Sequence, residues 1–306
     1  MKNNKTYNYL SLFSPLDWIS IFYILFSAIY ICFGFNFLDN LLFHFVIRIL
    51  LLFFIVSLAF ITKKNPTKTI LFLKNLYPLI FLGFFYTETS YLKNIIFKNN
   101  LDAFFFNLEQ NLWGCQPSIE FSNLINQNWF NELMNICYFS YYILITLVCI
   151  FIYLKKPLQS YKNIFIIVLS FYFYYIFFFL FPVAGPQYYI QLNGHESTPP
   201  HFFGKIMQYI LINIEEPTGA FPSSHVGIAI IINYIVFKEL KKIFYFILPF
   251  VFGICFATVY LKAHYLVDVL AGILSAPILI IFTGKIYDKL SFITSNNSQN
   301  SIQNNN

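Results

Sequence analysis

The apolar residues of this 306-residue chain fall into blocks separated by short lysine-bearing segments, and each block is roughly 20 residues long, the length that crosses the hydrocarbon core of a bilayer. Eight blocks can be placed, at about 15–35, 41–62, 69–87, 131–154, 163–182, 224–238, 243–261 and 264–283. Helix is the only assignment that serves them, because an open strand would leave backbone groups unpaired in lipid. Only 10% of the residues are charged, against about 25% in a soluble domain, so water-facing surface is scarce. The expected fold is all-α, a polytopic helical membrane protein with about eight transmembrane helices.

The net charge of +6 does not point to nucleic acid. The chain has a single arginine, Arg48, and its lysines form short clusters rather than a basic stripe. If the spans alternate, the lysines at 2–5, 63–68, 155–162, 238–242 and 285–289 share one side, and only Lys93, Lys98, Lys205 and Lys262 lie on the other. Lysine-rich loops stay cytoplasmic, which predicts both termini inside. The N-terminus lacks a short apolar stretch followed by a small-residue cleavage site, so the first block reads as a permanent span. The segment 291–306 is rich in Asn, Ser and Gln and reads as a disordered polar tail.

On this topology the two long loops, 88–130 and 183–223, face the periplasmic, extracellular or luminal side. Phe104, Phe105, Phe106, Leu108, Leu112 and Trp113 in the first suggest a helix lying in the interface. The five cysteines form no disulfide or zinc framework. His195, Glu196, His201, Glu215 and Glu216 read as solvated loop residues in preference to a zinc site formed with His225. Arg48 and His44 share a face of the second span and call for an acidic partner that the sequence does not identify.

Two stretches carry chemistry. In Gly219-Ala220-Phe221-Pro222-Ser223-Ser224-His225-Val226-Gly227, Pro222 disfavours helix before it, and Ser223 or Ser224 can cap the following span. His225 then sits in a first turn whose free N–H groups suit a phosphate oxygen. In Tyr260-Leu261-Lys262-Ala263-His264-Tyr265-Leu266-Val267-Asp268, His264 and Asp268 are four apart and share a helix face. A carboxylate on one ring nitrogen would set the tautomer and leave the other nitrogen as base or nucleophile. Both stretches open on the same side, so they can converge.

These stretches resemble the second and third motifs of the type 2 phosphatidic acid phosphatase superfamily, Pro-Ser-Gly-His and Ser-Arg-x5-His-x3-Asp. They are most similar to the inositol phosphorylceramide synthase-like branch, with its Phe-Pro-Ser-x-His and Tyr-Leu-x-x-His-Tyr-x-x-Asp. Phe181-Pro182-Val183-Ala184-Gly185-Pro186 and Leu112-Trp113-Gly114-Cys115-Gln116-Pro117-Ser118 fit the same branch, and the resemblance covers about residues 70–285. It implies a six-helix catalytic core bundle at 69–290, behind a two-span extension at 1–68. The family mechanism makes His264 the nucleophile that forms a phosphohistidine, Asp268 its orienting carboxylate and His225 the acid and base. It requires no metal or cofactor. The substrates it implies are membrane lipids, with a lipid, a sugar alcohol or water as acceptor.

Two departures bear on the branch. The superfamily's Ser-Arg pair aligns with Ala257-Thr258, and the basic residues of its first motif align near Phe178 and Gly185, so the usual phosphate-binding cations are missing. That loss favours the inositol-phosphoryl branch. Lys262 is the candidate replacement, assisted by backbone N–H groups around Ser223, Ser224 and His225. Tyr260, Gly185, Pro186, Gln187 and Tyr188 complete the expected substrate-binding set. A lipid phosphate phosphatase is the alternative, and a non-catalytic scaffold or transporter is the alternative of a different class.

Overall fold

A computed structural model describes residues 12–34, 38, 40–93, 95–190 and 201–303, with side chains described as far as 294. The chain is all-helical, with no strand among the described residues. The long helices are α1 (Pro15–Phe33), α2 (Leu41–Lys64) and α3 (Lys68–Leu92), then α6 (Asn128–Lys155), α7 (Pro157–Leu180), α10 (Ser224–Glu239), α11 (Lys241–Tyr260) and α12 (Leu266–Gln303). Shorter ones lie between them: α4 (Asp102–Trp113), α5 (Pro117–Leu124), α8 (Pro186–Tyr189) and α9 (Phe202–Asn213). Among the described residues, seven helices are long and apolar enough to cross a membrane. The eighth expected span is α10, whose 16 residues reach only about 24 Å at 1.5 Å per residue. The protein is a multi-pass membrane protein.

Two boundaries differ from the sequence expectation for local reasons. Helix α7 begins at Pro157 rather than near 163, because proline fits the first position of a helix, where its missing N–H costs nothing. The backbone of α12 stays helical to Gln303, into the segment expected to be disordered. No Pro or Gly follows Gly284, and Asn, Ser and Gln each cost less than about 0.7 kcal/mol in a helix. A helix already nucleated in the bundle therefore propagates through them.

Helix α7 is the axis of the bundle, with 78% of its most apolar window buried, whereas α2, at 22%, lies on the periphery. Around α7 pack α3, α6, α10 and α12, with α11 against α6 and α10, while α1 and α2 lean on α3 and α7. The α1–α7 seam is aromatic: Tyr23 stacks on Tyr172 at 4.4 Å, and the Tyr172 and Ser20 hydroxyls bond at 3.1 Å.

Two buried ion networks fasten the first three helices. Asp17 of α1 pairs with Lys74 of α3 at 2.7 Å and accepts from the Tyr77 hydroxyl at 2.9 Å. Glu88 of α3 is the acid that Arg48 and His44 required. The guanidinium grips both of its oxygens, at 2.8 and 2.9 Å, and His44 Nδ1 lies 3.1 Å from one of them.

Carboxylates of the loops also act as backbone caps. Asp102, at the start of α4, accepts from the Ala184 and Gly185 N–H groups, both at 2.9 Å. Glu109 accepts from Val267 N–H at 3.1 Å, and Glu132 from Phe203 and Gly204 N–H at the start of α9. Helix α4 thus lies across the start of α12, with Phe105 turned in and Phe104 and Leu112 exposed. Burial raises the carboxyls of Asp102 and Glu109 above their usual range, Glu109 to about 7.

Candidate active site

Ser223 caps α10, its hydroxyl oxygen accepting from Val226 N–H at 3.4 Å, and its own N–H donates to the Asp268 carbonyl at 3.0 Å. The start of α10 is thereby tied to the first turn of α12. The approach needs Gly272, because a Cβ there would lie 2.6 Å from the Ser223 carbonyl oxygen. His225, in the first turn of α10, packs against the rings of Tyr138 and Tyr141 at 4.8 and 4.3 Å.

His264 occupies the turn between α11 and α12. Lys262 reverses the chain there in the left-handed region, at φ 63°, and His264 N–H donates back to the Thr258 carbonyl at 3.0 Å. The His264 ring is 3% exposed, with Nδ1 at 2.8 Å from the Ala220 carbonyl oxygen and Nε2 at 3.2 Å from His225 Nδ1. A carbonyl only accepts, so Nδ1 carries the proton and Nε2 presents its lone pair. Burial pushes this imidazole down to about 4, which keeps it neutral near pH 7.

Asp268 differs from expectation in one respect. Its Oδ2 lies 3.6 Å from His264 Nδ1, too long for a hydrogen bond, and accepts instead from Tyr265 N–H at 2.8 Å. The tautomer is therefore set by the Ala220 carbonyl, and Asp268 lies behind the ring without bonding it. The cause is the turn: His264 precedes α12, so the two residues are not a helical i, i+4 pair. Asp268 is fully buried and its Oδ1 has no hydrogen-bond partner.

Glu215, expected from the sequence to be a solvated loop residue, instead has its side chain turned in beside His225, 9% exposed. Its Oε1 accepts from the Tyr138 hydroxyl at 3.1 Å and from the Tyr142 hydroxyl, and it lies 3.6 Å from His225 Nε2. Burial raises this carboxyl, but the bonds from His225, Tyr142 and Tyr138 outweigh it and hold the group below its usual range. No spacing rule singles out a glutamate ten residues before a histidine, and its neighbour Glu216 is chemically identical.

A small cavity opens beside the two histidines. Ser224, Gln187, Tyr188 and Glu215 line it, with Glu216, Thr218 and the backbone at 218–220 completing the wall. Of the expected substrate-binding set, Ser224, Gln187 and Tyr188 therefore reach it. Gly185 and Pro186 are not in its lining, though Gly185 packs behind Ala263 and Ala220, which are. Gly185 has φ 99°, and a Cβ there would collide with the Ala263 carbonyl oxygen.

Lys262 is half-buried and not among the lining residues, and burial lowers its ammonium. Tyr260 faces away, its hydroxyl donating to the Ile125 carbonyl at 2.9 Å and its ring against Phe121 and Phe130. His201 is exposed at the start of α9, while His195 and Glu196 lie outside the described residues.

A family model described as PAP2 superfamily matches residues 104–282, more than half of the chain and all of the catalytic stretches. The chain belongs to the PAP2 superfamily. The PAP2 match starts at α4 and leaves α1 to α3 outside, a narrower span than the resemblance from residue 70 suggested. No curated protein and no solved structure gave a significant match. Where PAP2 members carry the Ser-Arg pair, this chain buries Thr258 fully inside α11, and the cavity lining contains no Lys or Arg.

Proposed function

We propose that the protein is a membrane enzyme of lipid metabolism that transfers a phosphoryl or phospho-headgroup through a phosphohistidine at His264. The observation that carries this reading is the lone pair of His264 Nε2 facing His225 Nδ1 across 3.2 Å at the edge of a cavity. Nε2 attacks phosphorus, a P–N bond forms, and the P–O bond to the leaving group breaks. His225 gives the departing oxygen a proton and later takes one from the acceptor hydroxyl, whose oxygen then displaces His264. Asp268 stabilises the positive ring during the covalent stage. Ser224 and His225 offer backbone N–H groups at a helix N-terminus to the phosphate oxygens.

The branch motifs favour an inositol-phosphoryl donor and an alcohol acceptor, and the missing arginine agrees with that branch. A lipid phosphate phosphatase would use the same groups with water as acceptor. The lysine partition puts the termini in the cytoplasm and the site on the periplasmic, extracellular or luminal face. The test offers purified wild type and His264→Ala a set of labelled phospholipids and lipid phosphates, scoring new lipid and free phosphate separately. New lipid from wild type alone supports the transferase, and free phosphate alone makes it a phosphatase. Equal behaviour of the two proteins would sink the catalytic assignment and leave a scaffold.

A further inference from the structure

Four groups stand in line at the site: the Ala220 carbonyl, His264, His225 and the Glu215 carboxylate. The two ends constrain what lies between them. Ala220 fixes the proton on His264 Nδ1, so His264 Nε2 has only a lone pair to offer. His225 Nδ1, 3.2 Å away, must then be the donor of that contact, since two lone pairs would repel. At the other end, Glu215 Oε1 already accepts from two tyrosine hydroxyls and lies 3.6 Å from His225 Nε2, within ion-pair reach but too long for a hydrogen bond. A neutral imidazole has one N–H, here spent on His264; a second proton on Nε2, buried and without a hydrogen-bond partner, faces the Glu215 carboxylate as an ion pair.

We infer that His225 rests as an imidazolium held by Glu215, which makes Glu215 the positioning residue that loads the acid of the reaction. The inference rests on the phosphotransfer reading for its catalytic meaning, although the proton's location can be measured without it. An isolated buried imidazolium is costly, and a carboxylate beside it offsets that cost. Every titratable group facing His225 is compatible. Tyr138, Tyr141 and Tyr142 come from α6 and are neutral donors near pH 7. Glu215 comes from the loop before α10 and His264 from the turn before α12, with Asp268 behind the His264 ring. Tyr86 of α3 lines the same cavity.

The arrangement accounts for an acid-lined cavity whose wall holds no Lys or Arg. The imidazolium cancels the Glu215 charge and meets the incoming phosphate oxygens itself. In the first half-reaction its Nδ1 proton goes to the leaving oxygen as the His264–phosphorus bond forms. His225 is then neutral, with Nε2–H still directed at Glu215 and Nδ1 free to take the acceptor's proton.

The test is solid-state nitrogen-15 NMR of histidine-labelled protein in lipid at pH 7, with His225→Gln to assign the signal. Wild type should show both His225 ring nitrogens protonated, and Glu215→Gln should convert that ring to the neutral form. A neutral His225 in wild type, or an imidazolium that survives Glu215→Gln, overturns the inference.

In turnover, Glu215→Gln should lose about 10²-fold near pH 7 and move the high-pH limb of kcat/KM down by about one unit or more. Glu215→Asp should restore part of that shift. Uniform loss with an unmoved limb would mean a merely structural glutamate. Turnover that survives His264→Ala would instead remove the phosphohistidine reading, while the NMR result still decides where the proton sits.

Discussion

Glu88 and Asp268 are both carboxylates buried within long apolar helices, at 3% and 0% exposure, and their surroundings differ. Arg48 satisfies both oxygens of Glu88 and His44 adds a third contact, so the carboxylate is fully paired. Asp268 keeps one oxygen bonded to a backbone N–H and leaves the other without a partner, beside a histidine that it does not touch at hydrogen-bond distance. Asp17 is likewise engaged at both oxygens, by Lys74 and by Tyr77. Buried ionisable groups alone therefore do not mark the site. What marks it is incomplete pairing next to a cavity, since an unsatisfied buried polar atom costs stability unless it serves something else.

The sharpest way to break the comparison is to unpair Glu88. Arg48→Met should cost about 3–5 kcal/mol by stranding Glu88, read as a lower melting temperature in detergent, with kcat of the surviving protein unchanged. The triple variant His44→Phe, Arg48→Met, Glu88→Leu should recover most of that stability. If Arg48→Met is neutral for stability but abolishes turnover, the two regions have been assigned the wrong way round.

Asp268→Asn should do the opposite. Its amide oxygen can still accept from Tyr265 N–H, so melting should move little while turnover falls about 10²-fold through lost charge stabilisation. Because Ala220 sets the His264 tautomer, the loss should stay well short of that from His264→Ala.

A smaller effect separates the regions by pH. His264 stays neutral in the fold down to about 4, whereas an unfolded histidine takes its proton near 6.5. Between those values the unfolded chain binds more protons, so stability falls as pH falls, at up to about 1.4 kcal/mol per unit, and this loss ends below the folded value. Thermal melts across that window should show a slope that His264→Gln flattens. Smallest of all, Lys262→Ala should raise KM only a few-fold, because the side chain is half-buried outside the cavity wall. A loss above about 10²-fold would restore it as the principal phosphate ligand.

Much of this was legible without coordinates, for identifiable reasons. Block length and lysine placement predict spans because a bilayer imposes one thickness on every helix. The His225 and His264 stretches stand out because a capped helix start and a polar pair are anomalous in apolar sequence. Tyr260 looked equivalent to its motif neighbours but faces α5 and α6, since one residue's rotation on a helix decides which side it serves. The acid that Arg48 needed was out of reach for the same reason: Glu88 lies 40 residues away on another helix.

The sequence by itself determined an all-helical membrane chain and singled out two histidines and an aspartate as candidates for its chemistry. Periodicity, length and motif spacing are local properties, and each can be read within a few turns of helix. Only the tertiary structure decided that a carbonyl, Ala220, sets the His264 tautomer, that Asp268 stands 3.6 Å from the ring without bonding it, and that Glu215 rather than Glu216 lies beside His225. Those contacts join segments that are distant in the chain or separated by an irregular turn. They depend on how close α10 and α12 come at Gly272, a distance that packing sets and no spacing of residues encodes.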